Sequence, residues 1–243
     1  MKPLTHQDPW HSLYRARRRV IACATVIEEV LPLLPADIPY EVLDFGLHLN
    51  PARLKTSLQE KIDSAGPEVD VLLLGYGLCS MAVVGLQARS AALVIPRSDD
   101  CIALFLGSCS AYRLQSRAEP GTYYLTKGWI EVGDTPFEEH LQLVEKYGAE
   151  KAERMTRLLL KNYTRLAFIN TGQYEIERYQ AYARKTAGKF ALRYEEIQGS
   201  TTLIEKMLYG PWDDEFVVVP PGETVSFQAF ARSASDSAGQ ANL

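Results

Sequence analysis

Apolar residues in this chain fall into short runs separated by longer stretches of helical periodicity. The densest run is Val69 to Leu74, interrupted only by Asp70. A short, branched run that ends in glycine reads as a strand buried on both faces, the usual state in a parallel sheet. Comparable runs at 20–24, 40–45, 93–95, 166–170, 190–197 and 216–219 predict further strands. Between the first two, Val26, Ile27, Val30, Leu31 and Leu34 recur at helical spacing, and Pro35 ends that helix. Asn50 and Pro51 form a helix start, with Asn as cap and Pro as first helical residue, leading to about Ser64. Thr135-Pro136-Phe137-Glu138 is a second start: a hydroxyl cap, a proline, and an acid three residues on. Helices then fill most of 137–161 with a break at Gly148, and others are predicted at 101–106, 110–117, 174–187 and 202–209.

This rhythm of strand and helix predicts an α/β fold: Rossmann-like, mostly parallel sheet or sheets with helices on both faces, in two similar α/β halves. The expected division is a flexible arm at 1–18, a first half at 19–133, and a helical connector plus second half at 134–230. A disordered tail of small and polar residues follows at 231–243.

Composition narrows the function classes. Thirty acidic against 26 basic residues give a net charge of −4, so no large basic surface for nucleic acid is expected. No apolar run reaches the ~18–20 residues of a membrane span. Arg15 and Arg17 to Arg19 precede a short apolar stretch, as in an export signal, but Glu28 and Glu29 interrupt it early. A cytoplasmic protein is therefore expected. The four cysteines, Cys23, Cys79, Cys101 and Cys109, contain no C-x-x-C pair, and in a reducing compartment they are thiols, metal ligands or core residues rather than disulfides.

Reactive side chains gather at predicted strand ends. The Val69–Leu74 run stops at Gly75-Tyr76-Gly77, where two glycines permit a sharp turn and close approach to a ligand, and Cys79 follows. Cys23 lies at the end of the first strand, His48 just past the second, and Cys101 past the fourth, after Pro96 and Arg97. Parallel strands put their carboxyl ends on one edge, where open α/β sheets bind ligands. Cys23, Cys79 and Cys101 as thiolates, with His48, would make a soft site for zinc or an iron–sulfur cluster. The competing reading is that the thiols are core residues. Arg97 could hold an anion or make a structural ion pair. Tyr123 and Trp129 belong to an aromatic segment, Gly121–Trp129, that reads equally as a lid over the site or as core packing. Cys109 is read as incidental, and His6, His11 and His140 as surface residues. The third glycine of a dinucleotide fingerprint, a Walker loop and a G-x-S-x-G elbow are all missing.

Several strings together resemble a bacterial and archaeal family, Domain of Unknown Function 1638, from about Val20 to Gly222. They are Ala22-Cys23, Gly46-Leu47-His48, Leu74 to Cys79, Ile95-Pro96-Arg97 and Asp100 to Leu104. Gly107-Ser108, Tyr112, Gly121 to Thr126 and Gly128-Trp129 complete the resemblance, and Cys109 is not part of it. Members are often encoded beside corrinoid-dependent methyltransferases and their reductive activators. The resemblance thus implies an accessory role in one-carbon metabolism, with a corrinoid protein or methyltransferase as partner.

The leading expectation is a metal- or iron–sulfur-binding protein. The alternatives are a metal-free small-molecule or anion-binding α/β protein, or an enzyme using Cys79 and His48. A two-cysteine racemase-like arrangement would need a second-half thiol, and none follows Cys109.

Overall fold

The computed structural model describes residues 10–132 and 135–231. The first nine residues of the expected arm, His6 among them, and the expected tail beyond 231 lie outside the described residues. The elements in chain order are β1 (Arg18–Cys23), α1 (Ala24–Val30), β2 (Tyr40–Leu43), α2 (Pro51–Asp63), β3 (Val71–Gly75) and β4 (Ala92–Pro96). There follow α3 (Ile102–Leu106), α4 (Cys109–Ala118), β5 (Thr122–Leu125), α5 (Lys127–Val132), α6 (Pro136–Tyr147) and α7 (Ala149–Leu159). Then come β6 (Arg165–Asn170), α8 (Glu177–Lys189), β7 (Arg193–Gln198), α9 (Thr202–Tyr209) and β8 (Phe216–Val219). The protein is an α/β protein with Rossmann-like, parallel-rich sheets. Among the described residues no helix is long and apolar enough to cross a membrane.

The chain forms two compact units, and both are discontinuous in sequence. The first holds residues up to Ala22, Pro35–Cys101 and everything from Glu205 on. Its five-stranded sheet has the order β2-β1-β3-β4-β8. β1, β3 and β4 run parallel, with Ala22 opposite Gly75 and Leu73 opposite Val94. Every residue of β3 and β4 is buried, as continuous apolar runs require. β8 closes the sheet antiparallel to β4, Phe216 opposite Pro96. The run at 216–219, expected in the second half, therefore belongs to the first sheet.

The second unit comprises Cys23–Leu34 and Ile102–Ile204. Its sheet, β5-β6-β7, is wholly parallel. β5, expected in the first half, pairs with β6 because its alternating face packs on the cluster of Leu166, Phe168 and Tyr179. The unit buries one guanidinium, Arg165, which is 2% exposed. Thr122 Oγ1, Glu195 Oε2 and Gln115 Oε1 accept from it at 2.8, 3.0 and 3.1 Å, the full pairing that a buried charge needs. The α6–α7 pair follows the predicted start and break. Thr135 Oγ1 accepts from the Glu138 N–H at 3.3 Å, and Gly148 turns the chain with φ of 81°. His140, expected at the surface, is buried there, its Nδ1 3.0 Å from Thr156 Oγ1 and its ring edge-on to Phe190.

Candidate functional site at the carboxyl edge of the five-stranded sheet

β3 and β4 end side by side, and their following loops lie on one another. A β-carbon on Gly77 would stand 2.6 Å from Ser98 O and 2.8 Å from both Asp100 N and Asp100 O. Only glycine allows that approach. The contact is fixed by two backbone hydrogen bonds, Leu78 N–H to Ser98 O at 2.8 Å and Cys79 N–H to Asp99 O at 2.9 Å. Ser98 Oγ donates to Asp100 O at 2.6 Å and stiffens the second loop. Cys79 and Cys101 are thus carried on adjacent, mutually bonded segments, and both are buried.

The backbone at Cys79 is unusual. Cys79, Ser80 and Met81 have φ of 43°, 56° and 72°, three successive residues in the left-handed region without a glycine. Each such residue costs roughly 1–2 kcal/mol against its ordinary conformation. Strain of this kind persists only where the surroundings over-determine it, and it clusters at functional sites. Here Cys79 N–H is tied to Asp99 O at 2.9 Å, and Ala82 N–H and Val84 N–H donate to Cys79 O and Met81 O at 3.2 and 3.1 Å.

His48 reaches the same edge from a tight 3₁₀ turn, Phe45–Leu49. The Asp44 carboxylate caps that turn by accepting from Gly46 N–H at 2.8 Å, which is why the strand expected at 40–45 stops at Leu43. His48 Nδ1 lies 2.9 Å from Phe45 O. A carbonyl only accepts, so Nδ1 carries the hydrogen, and the bond orients the ring with Nε2 facing away from Phe45 O. The ring stacks on Phe45 at 5.0 Å and on the fully buried Tyr76 at 6.0 Å, holding it over the end of β3.

Arg97 follows β4. Its N–H donates to Glu215 O at 2.7 Å and its guanidinium to Phe216 O at 3.0 Å. Its Nε is sealed from solvent without a hydrogen-bond partner. Cys23 is the last residue of β1; it is fully buried, with Sγ 3.0 Å from Thr25 Oγ1. Cys109, set aside in the sequence, is buried at the first turn of α4, which Ser108 caps.

Tyr123 and Trp129 sit in the second unit, on β5 and α5. Both pack partly buried against its apolar cluster, and Trp129 meets Phe105 edge-on at 5.6 Å. The donor types at the sheet edge, thiols and imidazole, suit a soft or borderline metal. Among the described residues, however, no group of three or more His, Cys, Asp or Glu stands ready to hold an ion.

A second polar group went unseen in the sequence. Glu29 is fully buried in the second unit, bound by Thr171 and Gln173. The available signal was an acidic pair inside an otherwise apolar helical run, Val26 to Leu34.

The fold and this edge define an α/β protein with a strained, thiol-bearing loop at the carboxyl ends of its central strands. The chain belongs to the family described as protein of unknown function DUF1638, whose model matches residues 42–208. That span contains His48, Cys79, Arg97, Cys101, Tyr123 and Trp129, while Cys23 precedes it. Comparison with curated proteins and with solved structures gives no match.

Proposed function

We propose that Cys79, Cys101 and His48 form a soft-metal site in a cytoplasmic protein accessory to corrinoid-dependent methyl transfer. The observation that carries this reading is the locked pair of loops: one strained backbone places Cys79 beside the segment bearing Cys101, at the end of the strand on which His48 is stacked. Bound zinc would activate a thiol or methyl acceptor, and an iron–sulfur cluster with one open iron would offer it a ligand position. The residues' part is to supply thiolate charge, to orient the imidazole through Phe45 O, and to exclude water by burial. The cellular role rests on the gene neighbourhoods that the family resemblance implies.

A second reading has its own support. The Arg97 guanidinium donates to Phe216 O, and its Nε is sealed from solvent without a hydrogen-bond partner. Both fit a metal-free protein that binds a small anionic molecule at the same edge.

Protein purified without oxygen separates the two. The metal reading expects iron with sulfide, or zinc, near stoichiometric amounts. Replacing Cys79 or Cys101 by Ala should remove most of it, while Cys109→Ala leaves it in place. His48→Ala should weaken binding or alter the spectrum in a protein that still folds. Metal-free protein whose thiols react independently would overturn the metal site and leave the anion reading.

A further inference from the structure

A separate polar site lies in the second unit, at the carboxyl edge of its parallel sheet. β5 and β6 are parallel neighbours, Leu125 opposite Phe168, so Thr126 and Lys127 leave the sheet at the same edge as Thr171, Gln173 and Tyr174. This is where parallel α/β sheets take ligands. α1 delivers Glu28 and Glu29 to it.

Glu29 is 0% exposed. Its Oε2 accepts from Thr171 Oγ1 at 2.6 Å and from Gln173 Nε2 at 2.8 Å, and Gln173 Nε2 also reaches Glu29 O at 2.9 Å. The other carboxylate oxygen, Oε1, is sealed from solvent with no hydrogen-bond partner. So are Gln173 Oε1, on the amide that grips the same carboxylate, and Thr126 Oγ1. Tyr174 Oη links the two sides, 3.4 Å from Lys127 N. Its hydroxyl is held strongly in the protonated form, by burial first and by the nearby Glu29 charge second. Lys127 does not neutralise Glu29. Its ammonium pairs with Glu28 and lies 5.5 Å from the Tyr174 ring centroid.

Three sealed oxygens therefore lack hydrogen-bond partners, and among the described residues no cation pairs with the one carboxylate among them. Buried polar atoms are almost always satisfied, and a buried carboxylate needs both hydrogen bonds and opposite charge. A water supplies two donors and no charge. Hard divalent cations take six or more oxygens, more than this set offers. An ammonium group supplies three or four N–H donors together with one positive charge. We propose that this edge of the second unit binds a protonated amine, either the ammonium ion or the –NH₃⁺ group of a small molecule, with Glu29 as counter-ion and Gln173 and Thr126 as acceptors. The Glu28–Lys127 pair next to Glu29 and Thr126 in sequence is more exposed, at 33% and 22%.

The test uses the full chain exchanged into ammonium-free buffer. Melting is followed in ammonium, methylammonium, potassium and tetramethylammonium chlorides at equal ionic strength. Potassium matches ammonium in size and charge but donates nothing. A saturable rise in Tm with ammonium or methylammonium alone is expected. A larger response to ammonium assigns the free ion, and a larger response to methylammonium assigns the amine of a larger molecule. Glu29→Gln keeps the shape, removes the charge and should abolish the response. ¹⁵N-ammonium added to the unmodified protein should give a bound resonance protected from exchange, a readout that does not depend on the variant folding. Equal melting in all four salts, a potassium response equal to that of ammonium, a response that survives Glu29→Gln, or no protected ¹⁵N resonance would each overturn the proposal.

Discussion

Replacing Gly77 by alanine tests whether the two thiol-bearing loops behave as one unit. The new β-carbon would lie 2.6 Å from Ser98 O and 2.8 Å from Asp100 N and O. All three are backbone atoms, so no side-chain rotation relieves the overlap, and one loop must move. Movement loosens the 2.8 Å bond from Leu78 N–H and the 2.9 Å bond from Cys79 N–H. Overpacking costs about 1–3 kcal/mol, and each weakened hydrogen bond adds up to about 0.5–1.5 kcal/mol. Together these give a loss of about 4 kcal/mol. It should appear as a lower urea midpoint at unchanged m-value. The same variant should speed labelling of Cys79 by a thiol reagent, since reaction of a buried thiol depends on access. A midpoint matching that of the unmodified protein, with unchanged Cys79 labelling, would show that the loops are not coupled and would remove the main support for a shared site.

Three further outcomes are expected. Ser80→Gly relieves one left-handed residue at an exposed position and should be neutral or stabilising by up to about 1 kcal/mol in thermal melting; a clear loss of stability would mean that the hydroxyl is needed. Trp129→Ala should cost about 2–3 kcal/mol, below the full core value because the ring is half-buried, with thiol labelling unchanged; altered labelling at unchanged stability would make the segment a lid. Asp70 is held down at about 2 by hydrogen bonds from the Arg17 side chain and backbone. A depressed folded-state value contributes stability above the ordinary carboxylate range, and that contribution disappears as pH falls from about 4 to 2. Both side chains are well exposed, so the effect is small. The decline in Tm over that interval should be shallower in Asp70→Asn, and an identical decline would assign it to other carboxylates.

What could be read in the sequence follows from which interactions are local. The buried strands β3 and β4, the Asn50 and Thr135 helix caps and the Gly148 break are each encoded within a few residues, and each stands where the sequence places it. Partnership is not local. Phe216–Val219 reads as a buried strand, but four consecutive apolar residues carry no information on direction or neighbour. The strand expected from Phe190 begins only at Arg193, because the chain first turns through Ala191 at φ of 54°. His140 looks like a surface residue until α7 supplies Thr156. At the candidate site the sequence identified the thiols, His48 and Arg97. It carried no sign of the left-handed run that starts at Cys79, whose N–H bonds to a loop some twenty residues on. Glu29 was missed for a related reason: an acid in an amphipathic helix looks solvated until the residues that bury it are known.

The antiparallel strand β8 has a consequence for synthesis on the ribosome. It is the partner of β4 from Leu93 to Pro96, yet it emerges only after β5, β6 and β7. Until then the nascent first unit presents β4, an apolar strand, as an open edge with unpaired backbone groups, the kind of surface that pairs with other chains. The second unit's β-strands are complete before that edge is closed. Slow translation or a stop before Phe216 should therefore yield aggregating chains rather than a smaller folded protein, and a chaperone that shields strand edges would act on this interval.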